Sequence, residues 1–259
     1  MQTRSYASLL LLIQSLCGVD EFALNEIGRI KALINRRALR AYRMTNYWPR
    51  FFKFGEERRL SGNSAAVTTT VDGSGYFIAT IGDTDFTSIG ADSNTVGAYF
   101  VATGSGSGTG TVFPALGYLP YDQTGLSSID TFLRIHKNAP YISASAVEYD
   151  FILTNNGATL ICGTLNPATA FVTYKAQFTD TYGDGDGETT SIPAEWFQYL
   201  AHGTYADYLR AEGQQEKAMA AEAEAEVLLQ DELIRIDQQH QHQVVGSRVF
   251  TNANMQTRY

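Results

Sequence analysis

Cysteine is nearly absent from this chain: Cys17 and Cys162 are its only two. Two isolated thiols exclude a disulfide framework, and their spacing excludes a cysteine-based metal site. Both are expected to be free and buried. Long apolar runs are also missing. Leu9 to Ile13, preceded by Arg4, falls far short of the roughly 20 residues that a membrane span needs. No small-x-small cleavage pattern follows it, so it does not read as a signal peptide. The expectation is an amphipathic helix ending near Gln14 and Ser15, no membrane partner, and a cytoplasmic site of synthesis. Residues 61–112 contain no Lys or Arg and are rich in Gly, Thr, Ser and Ala, a composition that excludes a large core built by that stretch alone.

What is present is divided by charge. The net charge is −8, yet the first 60 residues carry 11 Lys/Arg against five Asp/Glu. The remaining residues carry eight against 22. A basic start and an acidic end are expected to pack on each other, within one subunit or between neighbours. Direct DNA contact is the rival reading of the basic stretch. Arg36, Arg37, Arg40 and Arg43 spread over several faces of one helix, which favours a solvated face.

The pattern of apolar residues gives an α+β fold, with helices at both ends and an antiparallel β-sheet or sandwich between them. Tyr6 to Leu16 reads as a short helix closed by Gly18. A second runs from about Phe22 to Thr45, with Ile27, Ile30, Ile34, Ala38 and Tyr42 on one stripe. Trp48-Pro49 ends it. Residues 61–117 form a Gly/Thr-rich β insertion. Its candidate strands are Tyr76 to Ile81, Asp85 to Ile89 and Ala98 to Ala102, and Gly104 to Thr111 reads as a linker or turn run. Residues 118–182 form the antiparallel β portion. There Asn155-Asn156-Gly157 predicts a hairpin between Ala146–Leu153 and Ala158–Cys162. Phe171 to Phe178 is expected as the third strand of one meander. Residues 183–239 are helical again, and 240–259 read as an extended polar tail.

Candidate chemistry is sparse. The carboxylates of Asp180, Asp184, Asp186 and Glu188 alternate with glycines and could surround calcium, but the spacing is not that of an EF-hand, and a solvated loop is the simpler reading. The alternate glycines from 104 to 110 lack the strand, helix and lysine of a phosphate loop. His136 and His202 read as packed side chains, and His240 and His242 as tail residues able to bind metal adventitiously. No triad or acid–base pair can be assembled, so the expectation is a non-enzymatic protein without metal or cofactor.

Two sets of residues carry a resemblance. Tyr6-Ala-Ser-Leu-Leu with Ile34-Asn35 and Tyr47-Trp48-Pro49 begins the first set. Ile192-Pro193-Ala-Glu-Trp196-Phe with Tyr205-Ala-Asp-Tyr-Leu-Arg210 and Gly213-Gln214 completes it. Joined by Ile129-Asp-Thr-Phe-Leu-Arg134 and Ala146-Val-Glu-Tyr149, it is similar to the head-to-tail adaptor proteins of tailed bacteriophages, in the layout of the tubular tail protein of short-tailed phages. The second set, Tyr76 to Gly90 with Phe100-Val-Ala-Thr-Gly104, resembles a Gly/Thr module found in many phage virion proteins, here as an insertion. The resemblance implies a structural subunit of the virion head–tail junction, made in the host cytoplasm. It implies a twelvefold ring of this chain beneath the portal protein, joined to a tail tube or nozzle protein. DNA would pass through the lumen without sequence-specific binding. Tail fibres are the partner implied for residues 61–117, and a fibre-attachment or receptor-binding accessory is the alternative function. The expected channel-facing acids are Glu222, Glu224, Glu226 and Asp231. The expected portal-docking residues are Arg248, Phe250, Arg258 and Tyr259.

Overall fold

The computed structural model describes residues 3–142, 147–161, 167–179, 182 and 191–256, without the side chains of Leu24 and of 240–256. The fold is α+β, and the chain divides into two compact units, Met1–Phe51 with Phe178–Tyr259, and Phe52–Gln177.

The first unit is helical and is built from both chain ends. A short strand β1 (Thr3–Ser5) leads into α1 (Tyr6–Cys17), where Ser5 caps the first turn by accepting from the Ser8 N–H at 3.2 Å. Gly18 closes that helix in the left-handed conformation, as its position predicts. The second helix, α2 (Leu24–Met44), buries Ile30, Ile34, Ala38, Ala41 and Tyr42. This is the stripe expected from spacings of three and four, with Ile27 at its margin. At the far end of the chain, β12 (Ser191–Pro193) pairs antiparallel with β1 and feeds α3 (Ala194–Ala211). The last helix, α4 (Gln215–Gln256), buries Ala218, Ala221, Ala225, Leu229 and Ile236 along one side. Its backbone stays helical through Gln256, where the sequence reading has an extended tail from His240. Glutamine is a good helix former and no proline interrupts the stretch, so Gly246 is its one strongly unfavourable residue.

Aromatic rings hold the two ends of this unit together. Phe51 stacks on Trp196 at 5.5 Å, and Trp48 meets the same indole edge-on at 5.4 Å. Phe178 lies 5.4 Å from Tyr42 and 6.0 Å from Trp196. The Trp48 indole N–H donates to the Ala41 carbonyl at 2.8 Å, which ties the post-helical turn back to α2. The chain therefore leaves and re-enters this unit at two residues of one aromatic cluster.

The described residues of the second unit are β-strands joined by turns. Strands β2 (Phe52–Arg59), β8 (Ile129–His136) and β11 (Thr169–Ala176) form one antiparallel sheet in the order β2-β11-β8. Strands β7 (Tyr118–Pro120), β9 (Asp150–Thr154) and β10 (Gly157–Ile161) form another, in the order β7-β10-β9. The expected hairpin at Asn155–Gly157 is present, with Thr154 opposite Gly157. The expected meander is not: β11 pairs with β2 and β8, and β7 takes the outer edge of β10. Both sheets contribute to one core, which includes Leu119, Phe132, Ile135, Leu160, Val172 and Tyr174. Burial against that shared core decides the pairing, and local spacing carries no information about it.

The Gly/Thr-rich insertion has a core of its own. Strands β3 (Ala65–Ala66), β4 (Gly75–Thr80), β5 (Tyr99–Val101) and β6 (Thr111–Pro114) form a sheet in the order β3-β6-β4-β5. Val67, Tyr76, Ile78, Phe86, Ile89, Phe100 and Val112 are buried together with it. The expected strand at Asp85–Ile89 is instead a 3-10 turn, Phe86–Ile89. Asp85 accepts from the Thr87 N–H at 3.0 Å and the Asn94 amide at 3.0 Å, a cap that favours a turn over a strand. The ends of the insertion lie side by side, since Gly62 N–H donates to Pro114 and Leu116 N–H to Leu60.

The run from Gly104 to Thr111 is no linker. The Gly110 N–H donates to Thr84 Oγ1 at 2.9 Å, the Thr109 hydroxyl to Asp83 at 2.8 Å, and the Gly106 N–H to the Val67 carbonyl at 3.1 Å. A Cβ on Gly106 would stand 2.4 Å from a Val67 methyl, and one on Gly110 would stand 2.7 Å from the Ile81 carbonyl. Glycine is there because backbone packs against backbone and against a buried valine. Gly106→Ala should therefore cost about 1–3 kcal/mol and raise hydrogen exchange across β3–β6. Gly28→Ala, on an open face of α2 with nothing within 4 Å, should instead stabilise by about 0.5–1 kcal/mol in a urea titration.

Candidate functional site

Among the described residues, the densest gathering of ionisable side chains lies where α2, α3 and α4 meet. Arg37 sits on the margin of the buried stripe of α2 with only 4% of its side chain exposed. Its Nε and Nη2 donate to the two oxygens of Asp207 on α3, each at 2.8 Å, the planar two-point geometry that a guanidinium offers a carboxylate. The same guanidinium donates from Nη1 to Glu222 Oε1 on α4 at 2.7 Å, and from Nη2 to the other oxygen. Around this centre, Arg36 Nη2 reaches Asp207 at 2.8 Å and Arg210 Nη1 reaches it at 3.0 Å. Arg40 bridges Glu222 at 3.2 Å and Glu226 at 2.6 Å. Gly203 on α3 leaves room for the arginine stem, since a Cβ there would stand 3.2 Å from Arg37 Cδ.

The ionisation of the cluster follows from its contacts. Burial, the largest effect on Asp207, pushes its carboxyl up, but hydrogen bonds from Arg37 and Arg36 outweigh it and hold the pKa below the usual range. Glu222 is lowered chiefly by its bond from Arg37. Burial alone would pull the Arg37 pKa down, and the two carboxylates raise it instead. Arg37, Asp207 and Glu222 therefore hold one another in their charged forms.

The four expected channel-facing acids are thus separated. Glu222 and Glu226 are committed to arginines of the same chain. Glu224, 61% exposed, lies 3.4 Å from His202 Nδ1, and Asp231 is exposed without an ion pair among the described residues. Arg248 and Phe250 stand on the helical backbone of α4, but their side chains, like Arg258 and Tyr259, lie outside the described residues. So do Cys162, the side chains of His240 and His242, and the carboxylates of Asp180, Asp184, Asp186 and Glu188. Tyr182, between Asp180 and Asp184 in sequence, is buried and exchanges two backbone hydrogen bonds with the Asn35 side chain. Among the described residues no three His, Cys, Asp or Glu gather as metal ligands. Cys17 is half-buried, and burial together with nearby Glu26 pushes its thiol up to about 11.

A second cluster, absent from the sequence reading, lies in the β unit. Arg58 is fully buried, with its guanidinium 4.4 Å from the Tyr174 ring centre. It donates to the Ser127 carbonyl, to the Tyr174 hydroxyl and to Glu56 at 3.2 Å, while the Tyr174 hydroxyl donates to Glu56. Burial first, and then the bond to Glu56, push the Tyr174 phenol up to about 12. His136 is buried in β8 beside Glu148, and burial lowers its pKa. A groove of about 840 Å³ in the helical unit is lined by Thr3, Arg4, Phe197, Glu232, Arg235 and Ile236. Within it, Arg4 lies over the Phe197 ring and Arg235 bonds Glu232.

No protein-family model, curated protein or solved structure matches this chain.

Replacing Arg37 by Met strands a buried carboxylate, which costs about 3–5 kcal/mol when no partner remains. Arg36, Arg40 and Arg210 remain, so Arg37→Met should fall near about 3 kcal/mol. The chain's two tryptophans, Trp48 and Trp196, both lie in this unit, so urea unfolding followed by their fluorescence reads the loss directly. Because the folded pKa values of Asp207 and Glu222 are lowered, their contribution is complete above the ordinary carboxylate range. It fades as pH falls through the folded values. The wild-type chain should lose stability steeply on acidification from about pH 5, and the Arg37→Met chain more gently.

Proposed function

We propose that this chain is a head-to-tail adaptor subunit of a tailed bacteriophage particle, a non-catalytic protein that assembles into a ring between portal and tail. One observation carries the reading. The two ends of the chain fold into a single helical unit, and the whole β unit is an excursion that departs at Phe51 and returns at Phe178. That is the layout implied by the likeness of the chain ends to adaptor proteins.

Further features support it. The insertion has its own core and closes its ends side by side, so it can be added without disturbing the flanking sheets. The strongest charge cluster fastens helices to one another. A ring needs each subunit to present two different, mutually complementary faces at a fixed angle. DNA then passes through the lumen without being read, while the portal and the tail tube or nozzle occupy the two ends of the ring.

Negative-stain imaging and sedimentation of the purified chain, alone and mixed with the portal protein of the same particle, test this reading. Closed rings that match the portal's symmetry are expected. Trimers would point instead to a fibre-attachment protein, and a chain that neither closes nor binds portal would sink the adaptor reading.

A further inference from the structure

The outer faces of α2 and α4 are opposite in character. On α4, Met219, Ala223, Val227 and Ile234 recur at helical spacing on the side away from the buried alanines and leucines. They are strongly exposed: Met219 at 68%, Val227 at 59% and Ile234 at 54%. Glu224 and Asp231 flank this stripe, both exposed and seven residues apart. On α2, the outward positions Arg29, Arg36 and Arg43 are also exposed and also seven apart, with Ala32 between them. Arg43 has no ion pair among the described residues, Arg29 reaches Glu212 only at 3.9 Å, and Arg36, which bonds Asp207 at 2.8 Å, still leaves 66% of its side chain exposed. Seven residues of helix advance about 10.5 Å, so two acids on one helix match the pitch of consecutive arginines on the other.

We infer that the occupant of the α4 stripe is the outer face of α2 from a second copy of this chain, and that this is the joint between ring neighbours. The inference rests on the adaptor reading for its ring and on these two faces for its residues. Two copies of α4 meeting each other would bring Glu224 and Asp231 against their own kind, which disfavours a symmetric pair. Contact of α4 with α2 joins acid to base and places the apolar side chains over Ala32. Such a joint is head-to-tail, since each copy offers one α2 and one α4, and it therefore propagates. The exposed apolar side chains supply the affinity, while the charges set partner and register.

Sedimentation of the 259-residue chain should show self-association that weakens as salt is raised. Val227→Glu should reduce it by roughly tenfold or more, and Asp231→Arg by less. Both variants should keep the wild-type tryptophan melt, because the residues are exposed. Oxidative cross-linking, with Cys17 and Cys162 replaced by Ala, reads the geometry. A mixture of Val227→Cys and Ala32→Cys chains should cross-link, and neither alone should. Cross-linking of Val227→Cys with itself would replace this joint by a symmetric α4 pair. A chain that stays monomeric at every soluble concentration overturns the inference. Rings that persist in Val227→Glu overturn it too, yet leave the adaptor reading standing. Association that needs this face but yields only open fibres does the reverse.

Discussion

A guanidinium buried between two carboxylates is a demanding object, and the helical unit is organised around one. Arg37 must meet Asp207 edge-on and Glu222 end-on at once, which fixes α2, α3 and α4 relative to one another in both distance and rotation. Sliding any of the three helices by a residue would leave a charge out of reach of its partner. The penalty for an unpaired buried charge is several kcal/mol, large against the whole stability of a domain. The glycine at 203 and the surrounding Arg36, Arg40 and Arg210 belong to the same constraint. They make the space and neutralise the acids.

The insertion meets a different constraint with different means. With no Lys or Arg between 61 and 112, it cannot use salt bridges internally and is held by its small apolar core and by hydrogen bonds to and from the backbone. Asp83 and Asp85 each hold a turn through several hydrogen bonds, which is why both carboxyls lie below the usual range. The glycines of 104–110 let that loop lie directly on Val67 and Thr84. A composition rich in glycine, usually read as slack chain, here marks close contact.

How much of this was legible in the sequence follows from the range of each interaction. The α2 stripe, the Gly18 cap and the Asn155–Gly157 hairpin are local, and local spacing predicted each of them. The partners of β11 lie more than 30 residues away in β8 and 110 or more away in β2, so a meander of neighbours was a reasonable but wrong expectation. The glycine run was misread for the same reason, since what it touches lies 26 residues upstream at Thr84. At the ion-pair cluster, the charge imbalance announced that basic and acidic ends would meet. It could not announce that Glu222 and Glu226 would be consumed inside the subunit while Glu224 and Asp231 stayed outside. That distinction is a matter of helix rotation, about 100° per residue, and only packing settles it. Asp207 entered only within the stretch Tyr205 to Arg210 and was given no role, because a single acid amid Tyr205, Ala206 and Tyr208 carries no pattern.

The buried network also bears on why such a subunit would keep charges where hydrophobic side chains would stabilise it as well. Replacing a buried ion pair with apolar groups is often neutral or better for stability, so net stability is a poor reason for retaining one. Orientation is a better one. In the proposed ring, the outer face of α4 meets the outer face of α2 on the next copy, and a twelvefold ring turns by about 30° at every joint. That angle is the angle between two faces of one subunit, repeated around the circle. An error of a few degrees accumulates at each step and leaves a gap or an open spiral. Apolar packing alone tolerates small helix shifts, whereas a two-point arginine–carboxylate contact with a third partner does not. Rigid internal charges would then serve closure of the ring, and the apolar stripe on α4 its affinity.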